Sequence, residues 1–483
     1  MQLLTIQRIL GILLALFSIT MLPPVLVSLL YQDGEAKAFI TAFGLLLSIG
    51  ALLWLPARKH RKELKIRDGF IVVVMFWLAL GFSGSLPFFL STDPLMSFTD
   101  SVFESMSGLT TTGSTVLTGL DDLPKSILFY RQFLQWLGGM GIVVLAVAIL
   151  PLLGVGGMQL YRAETPGPMK DAKLTPRITE TAKALWYIYM SLTIACAVAY
   201  HWAGMNWFDA IGHSFSTVAI GGFSTHDASI GHYNSGVIEM IAVIFMLISA
   251  LNFSLHFLAW RNRSLSHYWR DSELRVFLGI MLVVSLVTFS YLLITSAVDG
   301  TSLAARQAIF QTVSIGTTAG FATADFAYWP GFLPILLLFA SYIGGCAFST
   351  AGGMKVIRVM LLFKQGYREV LRLIHPNGVF AIRVNGKALP AKVVGAVWGF
   401  FALYVFCFTI MHLALMSTGL DVVTSFSAVT ACLNNLGPGL GEVSANFGSI
   451  NDTSKWILCV AMLLGRLEIF TLLVVLTPAF WRR

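Results

Sequence analysis

The stretch Gly108-Leu109-Thr110-Thr111-Thr112-Gly113-Ser114 ends a short, half-apolar run and places a glycine where the chain must turn back. Three more segments have this character and also end in glycine: Ala219-Ile220-Gly221-Gly222, Thr317-Thr318-Ala319-Gly320 and Asn434-Asn435-Leu436-Gly437. Glycine tolerates positive φ and adds no bulk, so it suits a narrow wall of backbone carbonyls. The four segments, called glycine segments 1 to 4 below, therefore predict the lining of one cation pore.

The composition is that of an integral, all-α membrane protein. The 483 residues are 56% hydrophobic and 12% charged, with a mean hydropathy of +0.77, whereas soluble domains carry roughly 25% charge. Apolar stretches of spanning length predict about ten transmembrane helices, near 5–30, 38–57, 69–91, 126–153, 181–204, 236–260, 273–298, 330–361, 391–417 and 455–480. The first stretch lacks a small-residue cleavage pattern, so we interpret it as a retained helix.

The loops alternate in charge along the chain. Basic residues cluster at 58–67, 161–183, 261–275 and 355–392, and acidic residues occupy the opposite loops. By the positive-inside rule, both termini are predicted to be cytoplasmic. This topology accounts for the net charge of +8, so we infer no nucleic-acid partner. The five cysteines are scattered and suggest neither a disulfide framework nor a metal cluster.

The four segment-ending glycines recur at a loose period, which indicates an internal repeat. They are separated by 109, 98 and 117 residues. Each follows a spanning helix and a run of about a dozen residues, and another span comes after it. We divide the chain accordingly into two extra helices and four helix, loop, helix units, at 1–67, 68–160, 161–270, 271–389 and 390–483.

Each short run opens with residues that cap helices. The expected caps are Thr99 and Asp100, Asn206 and Asp209, Asp299 and Thr301, and Thr418 and Asp421. A helix capped at the outer surface would direct the negative end of its dipole toward the membrane centre, where it favours a dehydrated cation. The alternative is that these glycines and threonines only let membrane helices pack closely. Four such segments in register favour the pore.

The whole chain resembles the Trk/Ktr/HKT superfamily of potassium transporters. The resemblance rests on the two extra N-terminal spans, on the glycine segments, and on the stretches Arg131-Gln132-Phe133-Leu134-Gln135-Trp136 and Gly465-Arg466-Leu467-Glu468. It implies potassium uptake across the bacterial inner membrane through a pseudo-fourfold pore in a homodimer. It also implies a cytoplasmic regulatory partner, TrkA, that binds NAD, ATP or ADP. In this family serine in the first loop accompanies sodium permeation, so glycine in all four loops favours K⁺.

The resemblance also implies which backbone carbonyls bind K⁺. They are those of Thr111, Thr112, Ile220, Gly221, Thr318, Ala319, Asn435 and Leu436, with Thr110, Ala219, Thr317 and Asn434 as an inner layer. Glycine segment 4 departs from the family pattern, and we expect a longer helix before it. Its registration is therefore the least defined of the four.

A gate is predicted below the glycine segments. As one helix, 330–361 would be about 48 Å long, against a bilayer core of about 30 Å, so we expect it to be broken. The break is expected in the small-residue run that begins with Gly344-Gly345 and ends with Gly352-Gly353. The superfamily has an intramembrane gating loop at this position. The alternative is that the paired glycines only kink a helix or admit a neighbour.

Arg466 is a cation near the middle of the predicted span 455–480, where insertion costs roughly 2.5–3.5 kcal/mol. The resemblance implies that it faces the pore beneath the glycine segments and meets the gating loop. The alternative is a buried ion pair with an acid from another helix, since Glu468 lies on a different helix face. For Arg131 and Lys355 we predict mainly anchoring roles, with Arg131 snorkelling near the outer end of its span.

The cytoplasmic linkers 161–183 and 364–392 are candidate TrkA docking sites, or else ordinary basic loops that face membrane lipid. The second contains Asn377-Gly378 and Asn385-Gly386 on either side of Val379-Phe380-Ala381-Ile382-Arg383-Val384, which predicts a small hairpin. The sequence contains no metalloprotease motif, no nucleophile and base at a recognisable spacing, and no nucleotide-binding motif. We therefore predict no enzymatic activity, no cofactor and no nucleotide bound by this chain. A proton- or sodium-coupled symporter stays open as an alternative, because such transporters also use repeats and broken helices.

Overall fold

The computed structural model describes residues 2–60, 62, 64–141 and 178–482. Within these ranges the regular structure is helical apart from one short hairpin, which confirms the predicted all-α fold class. The α-helices span Leu3–Ser18, Leu22–Tyr31, Ala36–Ala57, Ile66–Gly84, Leu86–Leu90, Phe98–Leu109, Lys125–Gly139, Ile178–Trp202, Trp207–Ala219, Gly236–Ser249, Phe253–Asn262, Ser266–Arg270, Ser272–Ile294, Thr301–Gly316, Leu333–Ile343, Val356–Ile374, Ala391–Ser417, Val422–Leu433, Asp452–Arg466, Phe470–Leu476 and Pro478–Trp481.

Six described helices or continuous helix runs are long and apolar enough to cross a membrane, and the number is eight if each of two bent pairs is one span. Two predicted spans are not in this set. The span at 126–153 starts with the helix Lys125–Gly139 and then enters residues outside the described ranges. The span at 330–361 is broken, as expected, between Ile343 and Val356.

Two other spans that we predicted as continuous are bent. The chain turns by 89° between Gly236–Ser249 and Phe253–Asn262, and by 115° between Asp452–Arg466 and Phe470–Leu476. At the second bend Glu468 and Ile469 are left-handed, with φ of 54° and 56°. Arg466 therefore lies at the end of the helix Asp452–Arg466, at the break of this bent pair, and not inside a continuous helix as predicted.

Four helices precede the glycine segments, and we call them loop helices 1 to 4: Phe98–Leu109, Trp207–Ala219, Thr301–Gly316 and Val422–Leu433. Loop helix 4 has 12 residues and loop helix 3 has 16, so the expectation that the fourth is longer was wrong.

Two of the four cap predictions were right. Asn206 and Asp421 accept main-chain N–H groups at the starts of loop helices 2 and 4. Loop helix 1 is capped by Ser97 rather than by Thr99 or Asp100, and Asp100 lies in its first turn. Loop helix 3 has Gly300 as its N-cap residue, with φ of 90° and no side-chain hydrogen bond, so neither Asp299 nor Thr301 caps it as expected.

The units close into a ring through their helices. Each loop helix packs against the helix that follows its glycine segment, and that following helix also packs against the loop helix of the next unit. The helix Asp452–Arg466 after glycine segment 4 packs against loop helix 1, which completes the circle. The four loop helices therefore share one centre, although they come from distant parts of the chain.

Outside the ring, the first and third helices pack with their backbones in contact. A Cβ on Gly11 would lie 2.8 Å from the backbone oxygen of Gly50, and a Cβ on Gly50 would lie 2.8 Å from that of Gly11. Facing small residues permit such close approach in membrane helices. The two extra N-terminal helices are thereby joined into one unit.

Arg383–Val384 pairs antiparallel with Lys387–Ala388. The connecting residues Asn385 and Gly386 are both left-handed, as a type I′ turn requires. This confirms the predicted hairpin at Asn385-Gly386, and its strands are only two residues long. The other candidate docking linker, at 161–183, lies outside the described residues over 161–177.

Candidate functional site

All four loop helices end in the same hydrogen-bond pattern. The N–H of the second residue in each glycine segment donates to the carbonyl three residues back over 3.0–3.3 Å. The N–H of the third residue donates to the carbonyl five residues back over 2.7–2.9 Å. These are the two bonds of a Schellman motif, in which one residue is left-handed.

The left-handed residue is a glycine in most such motifs, but here it is not. Thr111, Ile220, Thr318 and Asn435 hold this position with φ between 53° and 68°. A left-handed conformation costs roughly 1–2 kcal/mol for residues other than glycine. The left-handed turn directs the N–H groups of the second and third residues of each segment back toward the end of its loop helix. No described main-chain N–H donates to the carbonyls of the second, third or fourth residues of these segments.

The terminal glycine of each segment packs against a carbonyl of the next segment. A Cβ on Gly113, Gly222, Gly320 or Gly437 would lie under 3.0 Å from the carbonyl oxygen of Gly221, Ala319, Leu436 or Thr112, respectively. Real Cβ atoms essentially never approach so closely. The contacts run from segment 1 to 2, 3 and 4 and back to 1, so the third-residue carbonyls form a closed cycle.

Side chains reinforce the ring where segments 4 and 1 meet. Asn435 donates its side-chain amide to Thr112 Oγ1 over 2.9 Å and to the Met462 carbonyl over 3.1 Å. Ser114 donates to the Gly437 carbonyl over 2.8 Å. Asn435, whose registration was the least defined from the sequence, thus lies in a position equivalent to that of Thr111.

The first residues of the segments are all fully buried: Thr110, Ala219, Thr317 and Asn434. Thr110 and Thr317 donate their hydroxyls to carbonyls one turn back in their own helices. The Asn434 amide donates to Ser341 Oγ over 2.9 Å. These side chains are held by the surrounding helices, and the backbone is left to form the ring.

The predicted gating loop, 344–353, contacts the ends of three loop helices. Gly352 N donates to Thr318 Oγ1 over 2.7 Å, and Gly353 N donates to the Asn434 carbonyl over 3.0 Å. Thr350 Oγ1 donates to the Val218 carbonyl over 3.0 Å. The loop therefore lies directly against the second residue of segment 3 and the first residue of segment 4.

The glycine pairs at the two ends of this loop pack against each other. A Cβ on Gly344 would lie under 3.0 Å from the Gly352 oxygen, and Gly353 and Gly344 are both left-handed, with φ of 71° and 66°. Gly345 is equally confined, since its Cβ would lie 2.6 Å from Ala351 Cβ. The four glycines form a narrow neck for the loop.

Glu273 holds the loop from the side of a neighbouring helix. One of its carboxylate oxygens accepts the Ala347 N–H over 2.7 Å and the Ile357 N–H over 3.1 Å. Glu273 is buried. One side chain thus binds both the loop and the first turn of the helix Val356–Ile374.

Arg466 contacts the end of the helix Lys125–Gly139. Its guanidinium donates to the Gly138 carbonyl and lies 5.5 Å from the centre of the Trp77 ring. Glu468, two residues later, pairs with Arg358 from the helix after the gating loop. The contact between Arg466 and the gating loop stays a prediction.

Arg131 is not the snorkelling anchor that we expected. Its side chain is 1% exposed and forms a 2.6 Å ion pair with Glu104 of loop helix 1, which is fully buried. It also donates to the Ser224 carbonyl over 3.1 Å and to Thr115 Oγ1 over 3.0 Å. The correction has a physical reason: a buried carboxylate requires a partner. Glu104 in a half-apolar run was the signal in the sequence.

Lys355 is also buried rather than anchoring at a membrane surface. Its side chain is 7% exposed, and its ammonium donates to the Ala351 carbonyl within the gating loop. Lys355 itself is left-handed, with φ of 76°. It belongs to the structure of the loop.

Gln135 is a further residue that the sequence did not single out. Its Nε2 donates to the Gly221 carbonyl over 2.6 Å, and its Oε1 accepts the Phe223 N–H over 3.0 Å. A carbonyl oxygen has two lone pairs, so this bond leaves Gly221 one for another partner. Gln135 therefore forms hydrogen bonds with the backbone on both sides of Gly222.

The terminal glycines of all four segments open onto one cavity of about 460 Å³. His226 and Asp227 also line it, and we call it the mouth cavity. The hydrogen bond from His226 lowers the pKa of the Asp121 carboxyl. Burial lowers the pKa of His226, but hydrogen bonds to the carboxylates of Asp209 and Asp121 outweigh this and raise it.

These features define a multi-pass, all-α membrane protein in which four helix, loop, helix units enclose a common centre. The chain belongs to the TrkH family, described as cation transport proteins, whose sequence profile matches residues 35–482. This confirms the resemblance found in the sequence.

Named relatives match over the full length. The chain is 62% identical to the Trk system potassium uptake protein TrkH of Vibrio parahaemolyticus, over 100% of both chains. It is 57% identical to that of Escherichia coli, over 99% of both. The fold is similar to the crystal structure of the potassium transporter TrkH from Vibrio parahaemolyticus, with a TM-score of 0.91 and 60% identity over 100% of both chains.

Proposed function

We propose that this chain takes up K⁺ across the bacterial inner membrane through a channel-like pore lined by the four glycine segments. The observation that carries the proposal is the closed cycle in which each terminal glycine packs on a carbonyl of the next segment. The relatives named as potassium uptake proteins support K⁺ as the cargo. Both termini are cytoplasmic in this proposal, and the mouth cavity faces outward.

Backbone carbonyls replace the hydration shell of the ion. The K⁺ ligands are the carbonyls of the second and third residues of each segment: Thr111, Thr112, Ile220, Gly221, Thr318, Ala319, Asn435 and Leu436. The shared Schellman pattern supports this, since it uses the N–H groups of these residues in the helix ends and leaves their carbonyls available. The C-terminal ends of four loop helices add negative potential at the same place.

The loop 344–353 is the gate in this proposal, with Arg466 as an electrostatic barrier near it. The bonds from Gly352 and Gly353 to Thr318 and Asn434 support the gate, because a loop in contact with these residues obstructs an ion leaving the glycine segments. Opening then requires the loop to leave these two acceptors. The close packing at the glycine neck means that a side chain at these positions would displace the loop.

The chain works in this proposal as a homodimer with TrkA, a cytoplasmic partner that binds NAD, ATP or ADP. The relatives' names refer to a Trk system, which implies further components. Candidate contacts are the basic linkers, of which the hairpin at Arg383–Ala388 is described. Charge reversal at Arg368, Arg372 and Arg383 should weaken co-purification with TrkA, and unchanged co-purification would contradict docking there.

The deciding experiment records currents from the purified chain in planar bilayers, with and without TrkA, under K⁺ and Na⁺ gradients. We expect a reversal potential near the K⁺ equilibrium value that does not move when a proton gradient is added. A reversal potential that follows the proton or sodium gradient would contradict the channel and support the symporter. The absence of K⁺ current and of K⁺ flux under every condition would refute both.

A further inference from the structure

Three side chains with metal-binding atoms meet beside the mouth cavity, which one of them, His226, lines. Asp121 lies in the 3-10 turn Leu120–Asp122 after glycine segment 1, His226 follows segment 2, and His232 lies in the 3-10 helix Ser229–Tyr233. One ligand atom from each residue can be chosen so that all lie within 4.8 Å of one another. The cluster thus joins two units at the place where their loops leave the ring.

The contacts within this cluster are close. His226 Nδ1 contacts Asp121 Oδ1, and His232 Nδ1 lies 4.0 Å from the same oxygen. The two imidazole rings are stacked, with centroids 3.5 Å apart and planes 4° from parallel. His226 Nε2 lies 3.4 Å from Asp209 Oδ2, which orients the ring from its other side. A second carboxylate behind a ligating imidazole is the usual support of a histidine metal ligand.

We propose that Asp121, His226 and His232 bind a divalent transition-metal ion beside the mouth cavity, and that this ion reduces K⁺ entry. Two imidazoles and one carboxylate with an open fourth position are a common ligand set for Zn²⁺. Imidazole favours Zn²⁺, Cu²⁺ and Ni²⁺ over Mg²⁺ and Ca²⁺, which prefer oxygen ligands. The claim about K⁺ entry rests on the proposed function, and the claim about binding does not.

Metal binding needs only a local movement. Parallel rings cannot direct in-plane lone pairs of both imidazoles to one ion, so one ring must turn out of the stack. His232 is the ring that can turn, because its side chain is 45% exposed, whereas that of His226 is 12% exposed. The carboxylate is fixed from behind, since Asp227 N–H donates to Asp121 Oδ2 over 3.4 Å.

The effect on transport follows from charge and position. His226 lines the cavity onto which all four terminal glycines open. A bound divalent ion adds positive charge beside the path of an entering K⁺, and charges at such a mouth change entry rates strongly at low ionic strength. We therefore expect Zn²⁺ on the outer side to inhibit uptake, with less inhibition as salt rises.

The binding test is calorimetric titration of ZnCl₂ into the purified full-length chain after treatment with a chelator. We expect one Zn²⁺ per chain and at least tenfold weaker binding in His232→Ala and Asp121→Asn. The matched control is His201→Ala, because His201 lies near the end of the helix Ile178–Trp202, outside the cluster, and its Nδ1 forms a 3.0 Å hydrogen bond with the Met205 carbonyl. Undetectable binding by the parent chain, or unchanged binding in both cluster variants, would refute the site. MgCl₂ binding with equal affinity would refute its transition-metal character.

The transport test measures K⁺ uptake into proteoliposomes with ZnCl₂ on the outer side only. We expect inhibition of the parent and of His201→Ala, and at least a tenfold higher inhibitory concentration in His232→Ala. Zinc binding without inhibition would refute the effect on K⁺ entry. A chain that binds Zn²⁺ but moves no K⁺ would refute the proposed function and leave the metal site standing. K⁺ uptake without Zn²⁺ binding would refute the metal site and leave the proposed function standing.

Discussion

The backbone oxygen of Gly221 lies under 3.0 Å from the point that a Cβ on Gly113 would occupy. Gly113 is also left-handed, with φ of 84°. A side chain at this position must displace the carbonyl of the neighbouring segment or its own backbone. Because that carbonyl is a proposed K⁺ ligand, the identity of residue 113 and ion selectivity are directly linked.

We expect Gly113→Ser to lower the K⁺ over Na⁺ permeability ratio by about tenfold or more, a change of about 1.4 kcal/mol in relative barrier height. The physical reason is displacement of the Gly221 carbonyl from the ring. The measurement is the reversal potential in mixed K⁺ and Na⁺ solutions. Gly119→Ser is the control, since Gly119 has φ of 68° with no atom within 4 Å of its Cβ. Unchanged reversal potentials in Gly113→Ser would contradict this link.

Removal of residues 346–350 should raise K⁺ flux through the chain without its partner. The loop contacts Thr318 and Asn434, and shortening it withdraws those contacts. Flux into proteoliposomes measures the effect, with folding checked by size-exclusion chromatography. A folded deletion variant that conducts no more than the parent would exclude this loop as the gate.

A milder change tests the same gate through Glu273. Glu273→Ala removes the acceptor of the Ala347 and Ile357 N–H groups, so the loop loses its lateral support. We expect several-fold more leak flux, whereas Glu273→Gln keeps an oxygen acceptor and should stay near the parent. Equal flux in the two variants would show that these hydrogen bonds do not hold the gate closed.

Arg466→Ala should increase K⁺ flux, and Arg466→Lys should stay closer to the parent because it keeps the charge. The expectation follows from the proposed electrostatic barrier, and it is measured as flux per folded chain. If Arg466 has only a structural role through Gly138 and Trp77, the alanine variant will lose thermal stability and gain no flux.

The buried pair of Arg131 and Glu104 should dominate stability near glycine segments 1 and 2. Arg131→Met leaves a fully buried carboxylate without its partner, which costs roughly 3–5 kcal/mol. We expect a clearly lower unfolding temperature in detergent, with partial recovery when Glu104→Gln is added. Arg372→Met is the control, since Arg372 and Glu369 form an exposed pair worth about 0–1 kcal/mol. Equal losses in both single variants would contradict the assignment.

The sequence by itself determined the membrane class, most of the spans and the four glycine segments. Hydrophobic runs and segment-ending glycines are local properties, because spanning length and left-handed backbone are set within a few residues. The hairpin at Asn385-Gly386 and the break in 330–361 could be predicted because they too depend on local sequence. Cap positions were less certain, because Ser97 and Thr99 are both suitable caps by composition.

Only the tertiary structure decided which groups meet. Arg131 and Glu104 are 27 residues apart, and Gly437 and Thr112 are more than 300 residues apart, yet both pairs are in contact. The bend after Arg466 likewise depends on surroundings, because Gly465 packs against the end of loop helix 4. Such contacts arise when four distant units close into a ring, and sequence spacing does not specify which residues then meet.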